Sequence, residues 1–167
     1  MRELLLAAVL CGVGNAAAAP TPPDCRRVEH RQLDFWVGEW RVFQAGDDKT
    51  QTATSRIEQV MNGCGIRENY QSPAAPGGAY SGTSYSSYDH KDGKWHQMYV
   101  DTNENVTWYT GGLEGEDMVL TAPGKSGALQ KMTYRPHADG SVEQIGVSST
   151  DGGATWQPGY DYIYRKK

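Results

Sequence analysis

One ten-residue segment, Leu33–Val42, constrains the fold more than any other part of the sequence. It reads L-D-F-W-V-G-E-W-R-V, so an apolar turn with Trp36 leads into Gly38 and then into a strand that begins near Trp40. Glycine allows a sharp change of chain direction, and a large indole ring can cover one end of a curved sheet. The segment therefore predicts a short helix that closes one end of an antiparallel β-barrel, with Trp36, Gly38 and Trp40 in structural roles.

The rest of the sequence is a series of short strand-like runs separated by turn residues such as Asn62-Gly63 and Asp139-Gly140. Asn-Gly and Asp-Gly pairs favour the tight turns of antiparallel hairpins. About ten such runs in succession favour closure, because an open sheet of that length leaves unpaired edges. The predicted strands are Glu39–Gln44, Thr54–Met61, Gly65–Gln71, Thr83–Tyr88, Trp95–Asp101, Val106–Thr110, Met118–Ala122, Gln130–Arg135, Ser141–Ser148 and Gly159–Arg165.

The predicted fold is all-β: an antiparallel, largely closed β-barrel of about ten strands with a short N-terminal helix, and a two-sheet β-sandwich is the alternative. The helix is amphipathic, with Val28, Leu33 and Trp36 on one side. The inward face of each strand stays open at this point, because aromatic and polar residues occur on both faces. In the run Trp95–Asp101, for example, Trp95, Gln97, Tyr99 and Asp101 share one face.

The N-terminal residues have the pattern of a secretory signal peptide. Met1-Arg2 carries positive charge, Leu4–Val13 is apolar, and small residues lead to an expected cleavage after Ala18. The apolar run is too short to span a bilayer, so we expect no stable membrane insertion and an exported protein, periplasmic or extracellular. The predicted organisation is a signal peptide at 1–18, a Pro-rich tether at 19–27 and a single barrel domain at 28–167.

Two of the three cysteines, Cys25 and Cys64, lie outside the predicted signal peptide. A pair of cysteines in an oxidising compartment usually forms a disulfide. The bond would close a loop of about 40 residues and contribute on the order of 4 kcal/mol to stability in the chain-entropy description. We therefore predict a Cys25–Cys64 disulfide that ties the N-terminal segment to an early strand.

Charge and motifs exclude several classes of function. The formal net charge is -4 and the pI is about 5.5, which argues against nucleic acid as a partner. The sequence contains no G-x-S-x-G, no H-E-x-x-H and no paired histidine spacing. Asp101–Asn105 begins like a calcium loop, but Val106 replaces the required glycine, so a polar turn is predicted. We expect no cofactor and no metal, and no motif supports enzymatic activity; the oligomeric state is left open.

The segment Ser149–Trp156 matches the Asp-box pattern S-x-D-x-G-x-T-W. In this pattern the carboxylate and hydroxyl groups form hydrogen bonds within a hairpin turn, and the tryptophan packs beneath it. Enzymes that carry the pattern contain several copies on a longer chain, whereas this chain has one full copy. We therefore predict that Asp151 and Trp156 stabilise a hairpin and have no catalytic role.

A set of polar and aromatic residues on the predicted strands supplies candidates for a ligand site. In a barrel, a few polar groups among apolar walls can orient a small ligand if their side chains point inward. The candidate ligand-binding residues are Glu68, Tyr70, Tyr99, Asp101, Trp108, Arg135 and Gln144.

Leu33–Val42, Asn62–Gly65, Trp95–Asp101 and Asp151–Trp156 together resemble secreted bacterial barrel proteins of the calycin-like or lipocalin-like kind, whose function is unassigned. The resemblance covers roughly residues 33–165. It implies a barrel fold and export, but it supplies no catalytic residue.

Two further points depend on this resemblance. The lipocalin G-x-W tryptophan packs against an arginine late in the chain, which implies that Trp40 packs against Arg165. Nitrobindin-like haem barrels share a similar opening, but their axial histidine belongs near the last strand, where this sequence has Tyr160, Tyr162 and Tyr164. Haem binding is therefore not expected.

Three functional hypotheses follow. The favoured hypothesis is a non-enzymatic barrel that binds a small, partly apolar molecule in its interior, with the aromatic residues as amphipathic walls. The second is a secreted enzyme that uses an interior carboxylate pair, Glu68 and Asp101, as acid and base. The third is a structural or interaction module with a filled core.

Overall fold

The computed structural model describes residues 25–167. Ten antiparallel strands follow one another around a closed barrel, and the pairing of the last strand with the first completes it. This confirms the predicted closed barrel and excludes the two-sheet sandwich. The strands are β1 Gly38–Gln44, β2 Gln51–Val60, β3 Gly65–Ser72, β4 Tyr80–Asp89, β5 Lys94–Asp101, β6 Val106–Glu114, β7 Asp117–Pro123, β8 Leu129–Pro136, β9 Val142–Ser149 and β10 Gln157–Lys166.

The N-terminal segment consists of two short 3₁₀ helices, Val28–Arg31 and Asp34–Trp36, and not of one continuous helix. Leu33 and Trp36 are fully buried as predicted, but Val28 is 75% exposed. The 3.6-residue period that placed Val28 beside them fails, because the backbone leaves helical geometry at Leu33, between the two helices. Among residues 25–167, no helix has the length and apolar character needed to cross a membrane.

The end of the barrel at which β1 begins, called the closed end below, is packed with large side chains. Trp36, Trp40 and Trp95 are almost completely buried there. The Trp36 ring packs on Tyr134 with centroids 4.4 Å apart, and Trp40 Nε1 donates a hydrogen bond of 2.9 Å to the Trp36 carbonyl oxygen. Gly38 has a φ of +152°, a backbone conformation that other residues rarely adopt. The segment therefore caps the barrel as its sequence predicted.

The partner of Trp40 differs from the one that the lipocalin resemblance implied. Tyr164 lies on the inner face of β10, so Arg165 has the opposite orientation and Lys166 returns to the side of Trp40. Trp40 pairs in register with Lys166, whose Nζ lies 5.3 Å from the centroid of the indole ring. Because side chains alternate along β10, Lys166 and not Arg165 contacts the Trp40 ring. The predicted packing of Arg165 against Trp40 is therefore wrong.

The Cys25–Cys64 disulfide is present, with Cα atoms 4.8 Å apart. It joins the start of the described chain to the turn between β2 and β3, at the closed end. The predicted signal peptide at 1–18 and most of the predicted tether at 19–27 lie outside the described residues.

The Asp-box segment forms the turn between β9 and β10, as predicted. The Asp151 carboxylate accepts hydrogen bonds from the Thr155 backbone N–H at 2.9 Å and from its hydroxyl at 2.6 Å, and it also accepts one from Ser149 Oγ at 2.7 Å. These bonds, those from Thr155 first, hold the pKa of Asp151 well below its usual value. Trp156 is only half-buried, and Lys131 Nζ lies 4.2 Å from its ring centroid.

Candidate functional site

The barrel interior contains a cavity of about 570 Å³ above the tryptophans of the closed end. The cavity reaches the surface beside the β1–β2 turn and the β3–β4 loop, where Thr50 and Ala75 lie at its mouth. The inner faces of the strands form its wall, because alternate residues of each strand point inward. The interior is therefore filled at one end and hollow toward the other.

Tyrosines form most of the cavity wall. Gly82 and Gly146 make room for two of them, because a Cβ atom at either position would collide with the ring of Tyr99 or Tyr160, respectively. Strand β10 contributes three tyrosines at alternate positions, which share its inner face. The tyrosines that line the cavity are Tyr70, Tyr80, Tyr99, Tyr109, Tyr134, Tyr160, Tyr162 and Tyr164.

Hydrogen bonds fix the orientation of several of these rings. The hydroxyl groups of Tyr80 and Tyr99 are 2.8 Å apart, and Tyr80 also donates to Asp101 Oδ2 at 3.1 Å. Tyr109 donates to Gln130 Oε1 at 3.1 Å. The wall is thus ordered by its own polar groups and is apolar over most of its surface.

Four glutamines line the cavity, and two of them, Gln97 and Gln144, are buried. Gln97 Nε2 donates to Ser86 Oγ at 3.0 Å and to the Tyr134 hydroxyl at 3.2 Å. The Tyr164 hydroxyl donates to Gln144 Oε1 at 2.7 Å. Ligand sites are usually lined by apolar and aromatic side chains, with a few polar groups that orient the ligand. Gln97 and Gln144, which lie among aromatic rings, fit this composition.

Glu68 is the buried carboxyl group of this wall, with 3% of its surface exposed. Ser55 Oγ donates to Glu68 Oε1 at 2.8 Å. Burial raises the pKa of Glu68 to about 7, an effect that the hydrogen bond from Ser55 partly offsets. Glu68 is therefore divided between its neutral and ionised forms near neutral pH.

Of the seven candidate ligand-binding residues, four line the cavity: Glu68, Tyr70, Tyr99 and Gln144. Asp101 lies at the open end, where its carboxylate accepts hydrogen bonds from the backbone N–H groups of Asn103 at 2.9 Å and Asn105 at 3.2 Å. Partial burial acts to raise the pKa of Asp101, but the bonds from Asn105, Asn103 and Tyr80 lower it overall. Asp101 thus stabilises the polar turn that the sequence predicted and is not part of the cavity lining.

Trp108 and Arg135 do not line the cavity, which corrects the placement expected from the sequence. Trp108 is 63% exposed and lies opposite Met98 on the outer face, because its neighbour Tyr109 points inward. Arg135 also lies on the outside, where it forms ion pairs with Asp117 at 2.9 Å and Glu143 at 3.2 Å.

Most of the tyrosine wall was missed by reasoning from the sequence. The alternation of Tyr160, Tyr162 and Tyr164 is a visible signal, since three aromatic side chains on one strand face must lie either all inside or all outside. For Gln97 the signal was its shared face with Trp95 and Tyr99. Met132 and Tyr134 alternate with the polar residues Lys131, Thr133 and Arg135, so the inward face of β8 was also visible in the sequence.

One group of side chains outside the cavity has metal-ligand types. Donor atoms of Asp89, Asp92 and His96, at the β4–β5 turn, lie within 4.8 Å of one another. Asp92 is paired with His96 at 2.9 Å, and each carboxylate also accepts a backbone N–H within the turn. Because these contacts already account for the arrangement, we assign no metal to it.

Comparison with known proteins identifies a family for this chain. The family model described as "Protein of unknown function (DUF1579)" matches residues 26–142, which is more than half of the chain. A search of curated proteins found no match. Neither comparison assigns a function, so the cavity is the basis for the function proposed below.

Proposed function

The chain belongs to the DUF1579 family, whose function is unknown, and we propose that it binds a small, partly apolar molecule in the interior of its barrel. The observation that carries this proposal is the cavity of about 570 Å³, open at one end and walled by tyrosines. Cavities of roughly 300–1,000 Å³ with mostly aromatic walls and a few polar groups are typical of small-molecule sites.

The distribution of polar groups supports binding more than it supports a filled structural module. A structural module gains stability by filling its interior, since close packing is typical of protein cores. Here the closed end is filled, but Glu68, Gln97 and Gln144 lie on the wall of a hollow region. Their hydrogen bonds within the protein offset the cost of burying them, and the feature that a ligand explains better than folding alone is the empty space beside them.

The enzyme hypothesis requires two carboxylates inside the cavity, and the geometry offers less support for it. Glu68 lines the cavity, whereas the Asp101 carboxylate is engaged in the β5–β6 turn by Asn103 and Asn105. An acid and a base that act on one substrate must both lie within reach of it. Binding without catalysis is therefore the function we propose.

Export and the calycin-like relationship belong to the same proposal. The Cys25–Cys64 disulfide is compatible with an oxidising compartment, and a closed barrel with one open end is the form in which calycins hold their ligands. Protein isolated from the periplasm or the medium should begin near Ala19 and contain no free thiol. Alkylation of both Cys25 and Cys64 without reduction would contradict export to an oxidising compartment.

Binding is tested with N-phenylnaphthylamine, a neutral probe whose fluorescence rises in an apolar site, after removal of any molecule detected by native mass spectrometry. The matched variants are Ala75→Trp, which places a large ring at the mouth of the cavity, and Ala138→Trp, which places the same ring on the exposed β8–β9 turn at the closed end. We expect Ala75→Trp to weaken binding and Ala138→Trp to leave it unchanged. Equal affinity in both variants, or absence of binding to the unmodified protein, would contradict the proposal.

A further inference from the structure

The ionisable side chains that line the cavity are carboxyl and phenol groups, which can carry only negative charge. Of the side chains described in residues 25–167, one carboxyl group and eight tyrosine hydroxyls line the cavity, together with no Lys, Arg or His. Burial raises the pKa of tyrosines such as Tyr99 and Tyr134, so these phenols stay neutral near pH 7. The charge available to a ligand is therefore the negative charge of Glu68.

Glu68 has no cationic partner among residues 25–167. Ser55 Oγ donates a hydrogen bond to it, the Tyr164 hydroxyl donates to Gln144, and no Lys, Arg or His of the described chain acts on the pKa of Glu68. An ionised carboxylate removed from water and left without a counter-charge is costly. A bound cation would remove this cost, whereas a bound anion would increase it.

The surroundings of Glu68 also suit a cation. On β3, Tyr70 occupies the next inward position after Glu68. Across the sheet, Glu68 pairs with Ser84, which in turn pairs with Tyr99, so the carboxyl and the ring lie in one cross-strand row. The face of an aromatic ring attracts a cation within about 6 Å of its centroid, and several rings around one site act together.

Ser84 adds an unused polar group in the same row. It is 1% exposed, and its Oγ has no hydrogen-bond partner among the described residues. A buried hydroxyl without a partner is uncommon. Ser84 pairs in register with both Glu68 and Tyr99, although it does not itself line the cavity.

We propose that the ligand is an organic cation, an amine or ammonium group on an aromatic or other apolar body, with its charge at Glu68 and its apolar part against the tyrosines. This inference rests on the proposed function, since it specifies the ligand class of the same cavity. The overall negative charge of the protein, formally -4, also favours the approach of cations over anions.

Two probes of nearly identical shape test the charge preference: phenyltrimethylammonium, and tert-butylbenzene as its neutral counterpart. Displacement of N-phenylnaphthylamine and isothermal titration at pH 8 measure their affinities. We expect the cation to bind at least about ten-fold more tightly, because only the cation gains from Glu68 and the ring faces. Equal or tighter binding of tert-butylbenzene would overturn the inference but leave the proposed function intact. Failure of both probes and of N-phenylnaphthylamine would overturn both.

The variant Glu68→Gln separates the carboxylate from the rest of the cavity, and Glu114→Gln is its control. Both remove one negative charge, but Glu114 is exposed at the end of β6 and does not line the cavity. The preference for the cation should decrease markedly in Glu68→Gln, where only the ring faces still favour the cation, and should keep its full size in Glu114→Gln. If Glu114→Gln decreases it equally, the preference comes from overall charge and the inference fails.

The pH dependence of cation binding tests the same point in the unmodified protein, so it does not depend on the folding of a variant. Phenyltrimethylammonium keeps its charge at every pH, and the titratable groups that act on Glu68 are tyrosines that remain neutral. We expect roughly ten-fold tighter binding at pH 8 than at pH 6, because the ionised fraction of Glu68 rises across its pKa of about 7. Affinity that is flat or that falls with pH would contradict pairing with the carboxylate. The tyrosines concerned are Tyr70, Tyr80, Tyr99, Tyr134, Tyr160 and Tyr164.

Discussion

The closed end and the open half of the barrel are both lined by aromatic residues, but they use different ones. At the closed end Trp36, Trp40 and Trp95 are almost completely buried and pack against their neighbours. In the open half, tyrosines such as Tyr80 and Tyr99 surround a cavity of about 570 Å³. One end of the same barrel is therefore a packed core, and the other is a lined space.

The difference follows from the chemistry of the two side chains. An indole has a large apolar area and a single donor, and two of the three donors are satisfied inside the protein, by the Trp36 carbonyl oxygen and by Gln32. A phenol both donates and accepts hydrogen bonds, so it can border a space that holds water or a ligand. The packed closed end is thus suited to stability, and the lined open half is suited to the ligand binding that we propose.

The largest effect is expected from truncation at the closed end. Trp40→Ala removes a fully buried ring and should lower the free energy of unfolding by roughly 3–5 kcal/mol. Tyr162→Ala should cost less, because Tyr162 already borders the cavity. Urea unfolding measures both. The exterior control Trp108→Ala should change stability by at most about 0.5 kcal/mol. Equal losses for Trp40→Ala and Tyr162→Ala would mean that the two halves are equally packed.

The disulfide is predicted to stabilise the closed end without shaping the cavity. Replacement of Cys25 and Cys64 by serine opens a link between residues 39 positions apart and should lower stability by up to about 4 kcal/mol. Under conditions where the variant remains folded, N-phenylnaphthylamine should bind as it does to the unmodified protein. A folded variant that no longer binds the probe would show that the two regions are coupled.

Ionisation of Glu68, in the open half, is expected to lower the stability of the folded protein as pH rises toward neutral. Its pKa rises from 4.5 in the unfolded chain to about 7 in the folded protein, so the folded state binds the proton more tightly. The free energy of unfolding should then fall as pH increases from about 4.5 to 7, by about 3 kcal/mol in all. Urea unfolding of the protein and of Glu68→Gln across pH 4–8 isolates this contribution. A constant difference between the two would contradict the raised pKa.

The smallest effect is expected at the Asp-box turn on the rim of the open half. Asp151→Ala removes the acceptor for Thr155 and Ser149, so the melting temperature should decrease slightly. Because the pKa of Asp151 is lowered in the folded protein, its stabilising contribution is present above the unfolded pKa and is lost as pH falls through the folded value. Scanning calorimetry near pH 7 and at strongly acid pH compares the variant with the unmodified protein. If ligand binding is lost while stability is kept, Asp151 has a functional role.

The strands and turns were predictable because their signals are local. Each of the ten predicted runs overlaps a strand of the barrel, although β6 continues through Gly111 and Gly112 to Glu114, beyond the predicted end at Thr110. The cysteine pair and the Asp-box turn were also predictable, since each depends on few residues and simple chemistry. The N-terminal helix was predicted in position but not in geometry.

The candidate site was predictable only in part, because alternation along a strand divides side chains into two faces without saying which is inside. Glu68, Tyr70, Tyr99 and Gln144 line the cavity, whereas Asp101 lies in the β5–β6 turn and Trp108 and Arg135 face outward. On β6, the neighbours Trp108 and Tyr109 are both aromatic, so hydrophobicity alone does not distinguish the faces.

The sequence by itself determined the ten strands, the cap at Leu33–Val42 and the disulfide, because each arises from residues close in sequence or from a single pair. Tertiary structure decided which faces point inward, where the interior is hollow, and that Lys166 contacts Trp40. It also decided the chemistry of Glu68: a carboxyl acquires a raised pKa only when strands distant in sequence close around it and exclude water. Closure of the barrel is the physical step that turns scattered tyrosines into the wall of a cavity.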